Sequence, residues 1–133
     1  MESSIEFPVR STEVDFLGHV NNARYLEYME WGREDWYQKA GCSFDQLLER
    51  GIGTVTVNIN IDYLSECRRG EILIVKTCPV KTGKTSFVTR QQIYKKKSMD
   101  IASDARVTTV LIDMETRKSI PLPPDLLHQL TAG

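Results

Sequence analysis

The chain has 133 residues, 41% hydrophobic and 26% charged, with a net charge of −1. That length fits one soluble domain with a real core, and the charge gives no basic footprint for nucleic acid. No apolar run is long enough to span a membrane, and the acidic start Met1 to Glu6 lacks the apolar stretch of a leader, so a cytoplasmic protein is expected.

Ile5 to Ser11 alternates apolar and polar residues and predicts a first strand, with Pro8 marking an edge or a bulge. From about Asn22 to Ala40 the period becomes helical. Tyr25, Tyr28, Met29, Gly32 and Trp36 recur at three- and four-residue steps, with Leu26 and Trp31 widening the stripe. The aromatic load predicts a deeply buried helix. Gly41 is a natural C-cap, and Gly32 implies close approach of another backbone.

A short helix is predicted from Phe44 to Arg50, ended by Gly51. Val55, Val57, Ile59, Ile61 and Tyr63 then alternate with Thr54, Thr56, Asn58, Asn60 and Asp62, the cleanest strand pattern in the chain. Arg69-Gly70-Glu71 is read as the turn into a strand over Ile72 to Thr77. Lys81 to Lys84 is read as a hairpin turn, Thr85 to Tyr94 as the next strand, and Ile101 to Asp113 as the last. Asp125 to Leu130 completes the chain as a helical turn or two. Short connections favour antiparallel neighbours. An α+β fold is expected, a curved antiparallel five-stranded sheet wrapped around one long helix.

The densest chemistry is Asp15-Phe16-Leu17-Gly18-His19-Val20-Asn21-Asn22-Ala23-Arg24-Tyr25. A carboxylate precedes a turn glycine, and two N-cap residue types stand where the long helix begins. A carboxylate beside a helix N-terminus can act as nucleophile or base, while unpaired backbone N–H groups hold negative charge developing on a substrate oxygen. Asp15 could equally cap the turn or the helix. Gly18 suits a tight turn or room for substrate. His19 either orients reacting groups or is an ordinary loop histidine. Asn21 reads as a cap, and Asn22 acts through its backbone.

Cys42, Cys67 and Cys78 are scattered, with no C-x-x-C pair, which argues against a disulfide framework and against a zinc site. A Cys/His pair could use His19, but no cysteine is singled out. Gly83-Lys84-Thr85 looks like the end of a phosphate-binding loop, yet Cys78 stands where that loop needs glycine, and β-prone residues follow where it needs a helix.

The strand, the D-x-x-G-H-V-N-N-x-x-Y motif, the buried helix and the four later strands together resemble the hotdog fold. Within it, they resemble the 4-hydroxybenzoyl-CoA thioesterase-like family. Ile61-Asp62-Tyr63-Leu64 with Arg69-Gly70-Glu71, and Gly83-Lys84-Thr85-Ser86-Phe87, look like further family segments. The resemblance implies acyl-CoA hydrolysis with Asp15 as the catalytic carboxylate and the backbone N–H at Asn22 polarising the thioester carbonyl. It matches Tyr25 to an aromatic position in the first helical turn. It also implies homodimers or homotetramers with acyl sites between subunits, and no metal or cofactor beyond the coenzyme A of the substrate.

On that basis the catalytic candidates are Asp15, Asn22 and His19, and the substrate-binding candidates are Gly18, Tyr25, Asn58, Lys84, Thr85 and Ser86. Glu13 is a lesser candidate, and Arg24 reads as solvated surface. Arg68, Arg69, Lys81, Lys84 and Lys95 to Lys97 offer cations for the CoA phosphates. Lys84 is preferred among them, and Lys95 to Lys97 are read as a solvated turn. The competing readings are an acyl-carrier-protein thioesterase and a non-catalytic acyl-CoA-binding domain. A hotdog dehydratase is a fourth, but its His–Asp/Glu arrangement is not visible.

Overall fold

A computed structural model describes residues 1–132. Its spine is helix α1 (Asn22–Lys39), laid on a five-stranded sheet of β1 (Ser3–Pro8), β2 (Ile52–Tyr63), β3 (Ile72–Thr82), β4 (Ser86–Lys95) and β5 (Ile101–Asp113). Two shorter helices, α2 (Phe44–Glu49) and α3 (Pro124–Thr131), close the far end. The strand order is β1-β3-β4-β5-β2, and every pairing is antiparallel. Among the described residues no helix is long and apolar enough to cross a membrane.

The stripe on α1 does what its spacing predicts: Tyr25, Tyr28, Met29, Gly32, Trp36 and Tyr37 are buried. Phe7 packs on Tyr28 and Trp31, with ring centroids 4.8 and 5.2 Å away. Each such side chain contributes about 1.5–3 kcal/mol when fully buried. Asn21 caps the helix by accepting from the Ala23 N–H at 2.9 Å, and Gly41, with φ +79°, takes the left-handed position past its end. Ser43 and Gln46 form a capping box on α2.

Gly32 is where α1 meets the sheet. A Cβ there would lie 2.8 Å from Val75 Cγ1, 3.0 Å from Thr77 Oγ1 and 3.1 Å from Gln91 Nε2. Gln91 is fully buried and satisfied: it donates to Met29 O and Thr77 Oγ1 and accepts from Arg33 Nη1. Gly32→Val is therefore expected to cost about 2–3 kcal/mol through overpacking, read as a lower urea midpoint. Gly32→Ala should cost less, because its helix propensity returns about 1 kcal/mol. An unchanged midpoint in the valine variant would mean that α1 has room to lift.

Three expectations are corrected. The first strand ends at Pro8, and Ser11 to Glu13 form a 3₁₀ turn instead. The strand at Ile72 runs on to Thr82, through Pro79 and a bulge at Val80. Pro79 is tolerated because β1 covers β3 only from Ile72 to Thr77, so β3 has an open edge beyond that point. Finally, Arg69-Gly70-Glu71 does not make a hairpin: β2 pairs with β5, at the opposite edge from β1.

The alternation along β2 also breaks. Ile61 and Ile59 sit opposite the buried Ala105 and Val107 and face the helix side. The ladder then skips Val57. Beyond the skip Thr56 and Thr54 sit opposite Thr109 and Leu111, while Val55 turns to the outer face opposite Val110. One bulge residue reverses the faces of everything before it. The apolar set therefore does not share one buried face, and Val57 is 55% exposed.

Candidate active site

The segment between β1 and α1 closes on itself. Val14 bridges Val20, Asp15 N donates to His19 O at 2.8 Å, and Gly18 N donates to Asp15 O at 3.0 Å. Gly18 takes φ +85°, a conformation side chains resist. This tight turn sets the Asp15 side chain. Its Oδ1 accepts from the N–H groups of Leu17 at 2.9 Å and His19 at 3.2 Å. Oδ2 makes no hydrogen bond among the described residues, so one oxygen is clamped while the other is presented.

Asp15 lies in a 380 Å³ cleft that Asn21, Ala23, Arg24 and Glu27 also line. Asn21 and Ala23 flank Asn22, the first residue of α1. In this first turn Ala23 N–H goes to Asn21 Oδ1 and Arg24 N–H to Asn21 O. The Asn22 N–H makes no hydrogen bond among the described residues. It is the uncommitted donor at the positive end of an 18-residue helix. The residues on either side of this N–H, Asn21 and Ala23, line the same cleft as Asp15.

The supporting residues reach in from far along the chain. His19 bridges Arg68 through its backbone, and its Nε2 stands 3.1 Å from Glu66 Oε2. Val20 N donates to Cys67 O at 2.8 Å. Tyr25 is in the core rather than in the cleft. Its hydroxyl donates to Ser65 O at 3.0 Å and accepts from Cys67 N at 3.1 Å, so it ties α1 to the segment after β2. Burial, reinforced by the contact with Cys67, pushes the Tyr25 phenol up.

Glu13 is buried in the cleft wall, where its Oε1 accepts from Arg10 N at 2.9 Å and from the Tyr28 hydroxyl at 3.1 Å. Arg24 pairs with Glu27 at 2.8 Å. Cys67 is the cysteine nearest His19 in the fold, but it is fully buried and its thiol is pushed up by that burial, the opposite of an activated nucleophile.

The remaining candidates lie elsewhere. Asn58 is on β2 beside the bulge, exposed on the outer face opposite Thr108. Lys84, Thr85 and Ser86 form the β3–β4 turn. That turn is held against Leu111 and Leu122, at the opposite end of β5 from Ala102, whose carbonyl accepts from Leu64 N and Ser65 N. Within one chain they share no cleft with Asp15. Glu66 was not singled out from sequence, since nothing local links it to His19.

A second 380 Å³ cavity opens beneath β2, at the other end of α1, lined by Arg33, Tyr37, Phe44, Leu47, Thr56 and Thr109 among others. Burial lowers the Arg33 guanidinium from its usual range and raises the Tyr37 phenol. This cavity reaches the open edge of the sheet, because α1 packs on β1, β3 and β4 and leaves β2 largely uncovered.

The profile of the Thioesterase-like superfamily matches residues 9–130. The long-chain acyl-CoA thioesterase FadM of Escherichia coli is 32% identical over 125 residues, 94% of each chain. The crystal structure of Slr0204, a 1,4-dihydroxy-2-naphthoyl-CoA thioesterase from Synechocystis, superposes with a TM-score of 0.92 at 20% identity, over 99% of this chain and 97% of that one. SAV2348 from Staphylococcus aureus, solved in complex with CoA, gives 0.91 at 19% identity, over 98% and 82%. With antiparallel sheet, central helix and sequence profile in agreement, the chain belongs to the thioesterase-like superfamily, the thioester hydrolases built on the hotdog fold.

Proposed function

We propose that the protein hydrolyses acyl-CoA to free acid and CoA, with Asp15 as the catalytic carboxylate and the Asn22 N–H as the oxyanion donor. The observation that carries this is the cleft that Asp15, with its unengaged Oδ2, shares with Asn21 and Ala23, the two neighbours of the uncommitted first N–H of α1. FadM acts on long-chain acyl-CoA, and the SAV2348 structure holds CoA, which supports CoA as the carrier here.

Two routes use the same atoms. Oδ2 can attack the thioester carbon, expelling CoA thiolate and leaving a mixed anhydride that water opens. Alternatively it takes a proton from the water that attacks. In both, the carbonyl oxygen gains negative charge that the Asn22 N–H stabilises. The test is chromatographic measurement of free CoA after incubation with short, medium, long and aromatic acyl-CoAs. Chromatography is chosen because a thiol dye would also report Cys78. Release from at least one class is expected; no release from any contradicts the reading.

The working unit is proposed to be a homo-oligomer. In a single chain Asp15 is exposed and Phe16 beside it is 98% exposed, so water floods the site. β2 is a 12-residue edge strand with exposed Val55, Val57 and Ile59, the kind of edge that proteins rarely leave bare. A second copy pairing there would cover it. Val57→Lys is expected to shift the sedimentation mass to that of a single chain and to lower CoA release. A wild-type protein that sediments as a monomer and still turns over would contradict this assembly.

A further inference from the structure

The cavity beneath β2 has an uneven lining. Phe44, Leu47 and Leu48 of α2, Ile52 of β2, Ile112 of β5 and Met114 give it apolar walls, while Arg33, Tyr37, Thr56 and Thr109 set polar groups among them. The other cations of α1 are paired, Arg24 with Glu27 and Lys39 with Asp35, each at 2.8 Å. Arg33 forms no ion pair among the described residues. Its one side-chain hydrogen bond among them goes to a neutral acceptor, Gln91 Oε1, at 2.8 Å. Glu30 and Arg117 also line the cavity and offset one another in charge, so Arg33 leaves it net positive. At the Arg33 guanidinium itself, burial outweighs the nearby Glu30 charge.

A second polar group nearby is short of a partner. Arg33 and Tyr37 also border a small internal gap, together with Trp36, Thr77, Phe87 and Thr89. The Thr89 hydroxyl is buried and makes no hydrogen bond among the described residues. A half-buried cation held by one neutral acceptor and a buried hydroxyl with none are both costly. An anion that meets Arg33 offsets the first cost, and a carboxylate matches the planar guanidinium with two parallel hydrogen bonds. One uncompensated cation balances a single negative charge, not the double charge of a phosphate. The apolar walls call for hydrocarbon behind that charge.

We propose that this cavity binds a free carboxylic acid with an apolar tail, its carboxylate on Arg33 and its hydrocarbon against Phe44, Leu47, Ile112 and Met114. The volume of 380 Å³ is that of a small-molecule pocket. The site is distinct from the Asp15 cleft, since no residue lines both. Along α1, Arg33 stands about 16 Å beyond Asn22, at the usual helical rise per residue. A free acid of this kind is also what thioester hydrolysis releases, but the binding inferred here stands apart from that reading.

The test is titration calorimetry of the full chain with hexanoate, decanoate and benzoate, each kept below any micellar concentration, and with decanol as the uncharged control. Saturable binding of at least one acid to the wild type is expected, with decanol weaker than decanoate by about tenfold or more, because the hydrogen bonds to Arg33 are charge-assisted. Arg33→Gln removes the charge and should weaken acid binding about tenfold or more. Thr56→Phe keeps Arg33 and its Gln91 contact but fills the cavity, and should weaken binding by at least as much. Each variant is first checked for the wild-type circular dichroism spectrum. If Arg33→Gln does not fold, Thr56→Phe decides alone. No saturable binding of any acid to the wild type overturns the proposal. So does equal affinity for decanol, or undiminished binding in either folded variant. The readout is binding rather than turnover, so a wild type that binds the acid yet hydrolyses no acyl-CoA upholds the site and sinks only the thioesterase reading.

Discussion

Asp15→Asn is expected to lower kcat on acyl-CoA about 10²–10⁴-fold, the range for a reacting acid or base. The substitution separates chemistry from architecture. Asn keeps a side-chain oxygen for the N–H groups of Leu17 and His19, which now bond Oδ1 at 2.9 and 3.2 Å. Asn is also as good a turn and cap residue as Asp. The loop should persist, and the thermal midpoint should stay near that of the wild type. What is lost is the charge on Oδ2, needed to attack carbon or to accept a proton. If Asp15 served only as a turn residue, the variant would keep its activity.

The second large effect is expected at Asn22, through the backbone alone. Asn22 is the first residue of α1, the position where proline is best tolerated. Asn22→Pro removes one N–H, the one that has no partner, and breaks no helical hydrogen bond. The preceding residue, Asn21, already has φ −64° and ψ 143°, the extended region that proline demands of its predecessor. A kcat loss of about 10²–10³-fold is expected, the cost of deleting one oxyanion donor, with the circular dichroism spectrum unchanged. Asn22→Ala, which keeps the N–H, should retain most of the activity. Equal activity in the proline variant would move the oxyanion donor elsewhere.

What could be read from sequence was what is local. The buried face of α1 follows from aromatic residues at helical spacing, and the Asp15 turn, its Gly18 and the Asn21 cap lie within one contiguous stretch. The bulge at Val57 has no such signal. A valine inside an alternating run looks the same whether it is paired or skipped, so alternation alone does not reveal that Val55 and Ile59 lie on different faces. The partner of β2 was also beyond local reasoning: the connection from Leu64 to Glu71 looks like a turn, yet it carries the chain across the sheet.

The same crossing supplies the residues behind the site. Glu66 meets His19, and Cys67 and Arg68 bond to Val20 and His19, only because that connection passes under the motif loop. Tyr25 shows the converse limit. The motif places it correctly in the first turn of α1, but which side of that turn faces the core is decided by Ser65 and Cys67, forty residues away. For the basic residues, sequence showed the charges without their ends of the sheet. Lys84 lies in the β3–β4 turn, while Lys95 to Lys97 share a rim of the sheet with Arg69.

The most direct test of the central claim is free CoA released from acyl-CoA, measured side by side for the wild type, Asp15→Asn and Asn22→Pro, each first verified as folded. The expected result is steady release by the wild type and at least a hundredfold less by either variant, in line with the magnitudes for a catalytic carboxylate and an oxyanion donor, roughly 10²-fold or more each. Release by Asp15→Asn at the wild-type rate would contradict the assignment of the carboxylate. No release by the wild type from any acyl-CoA would contradict the reaction itself.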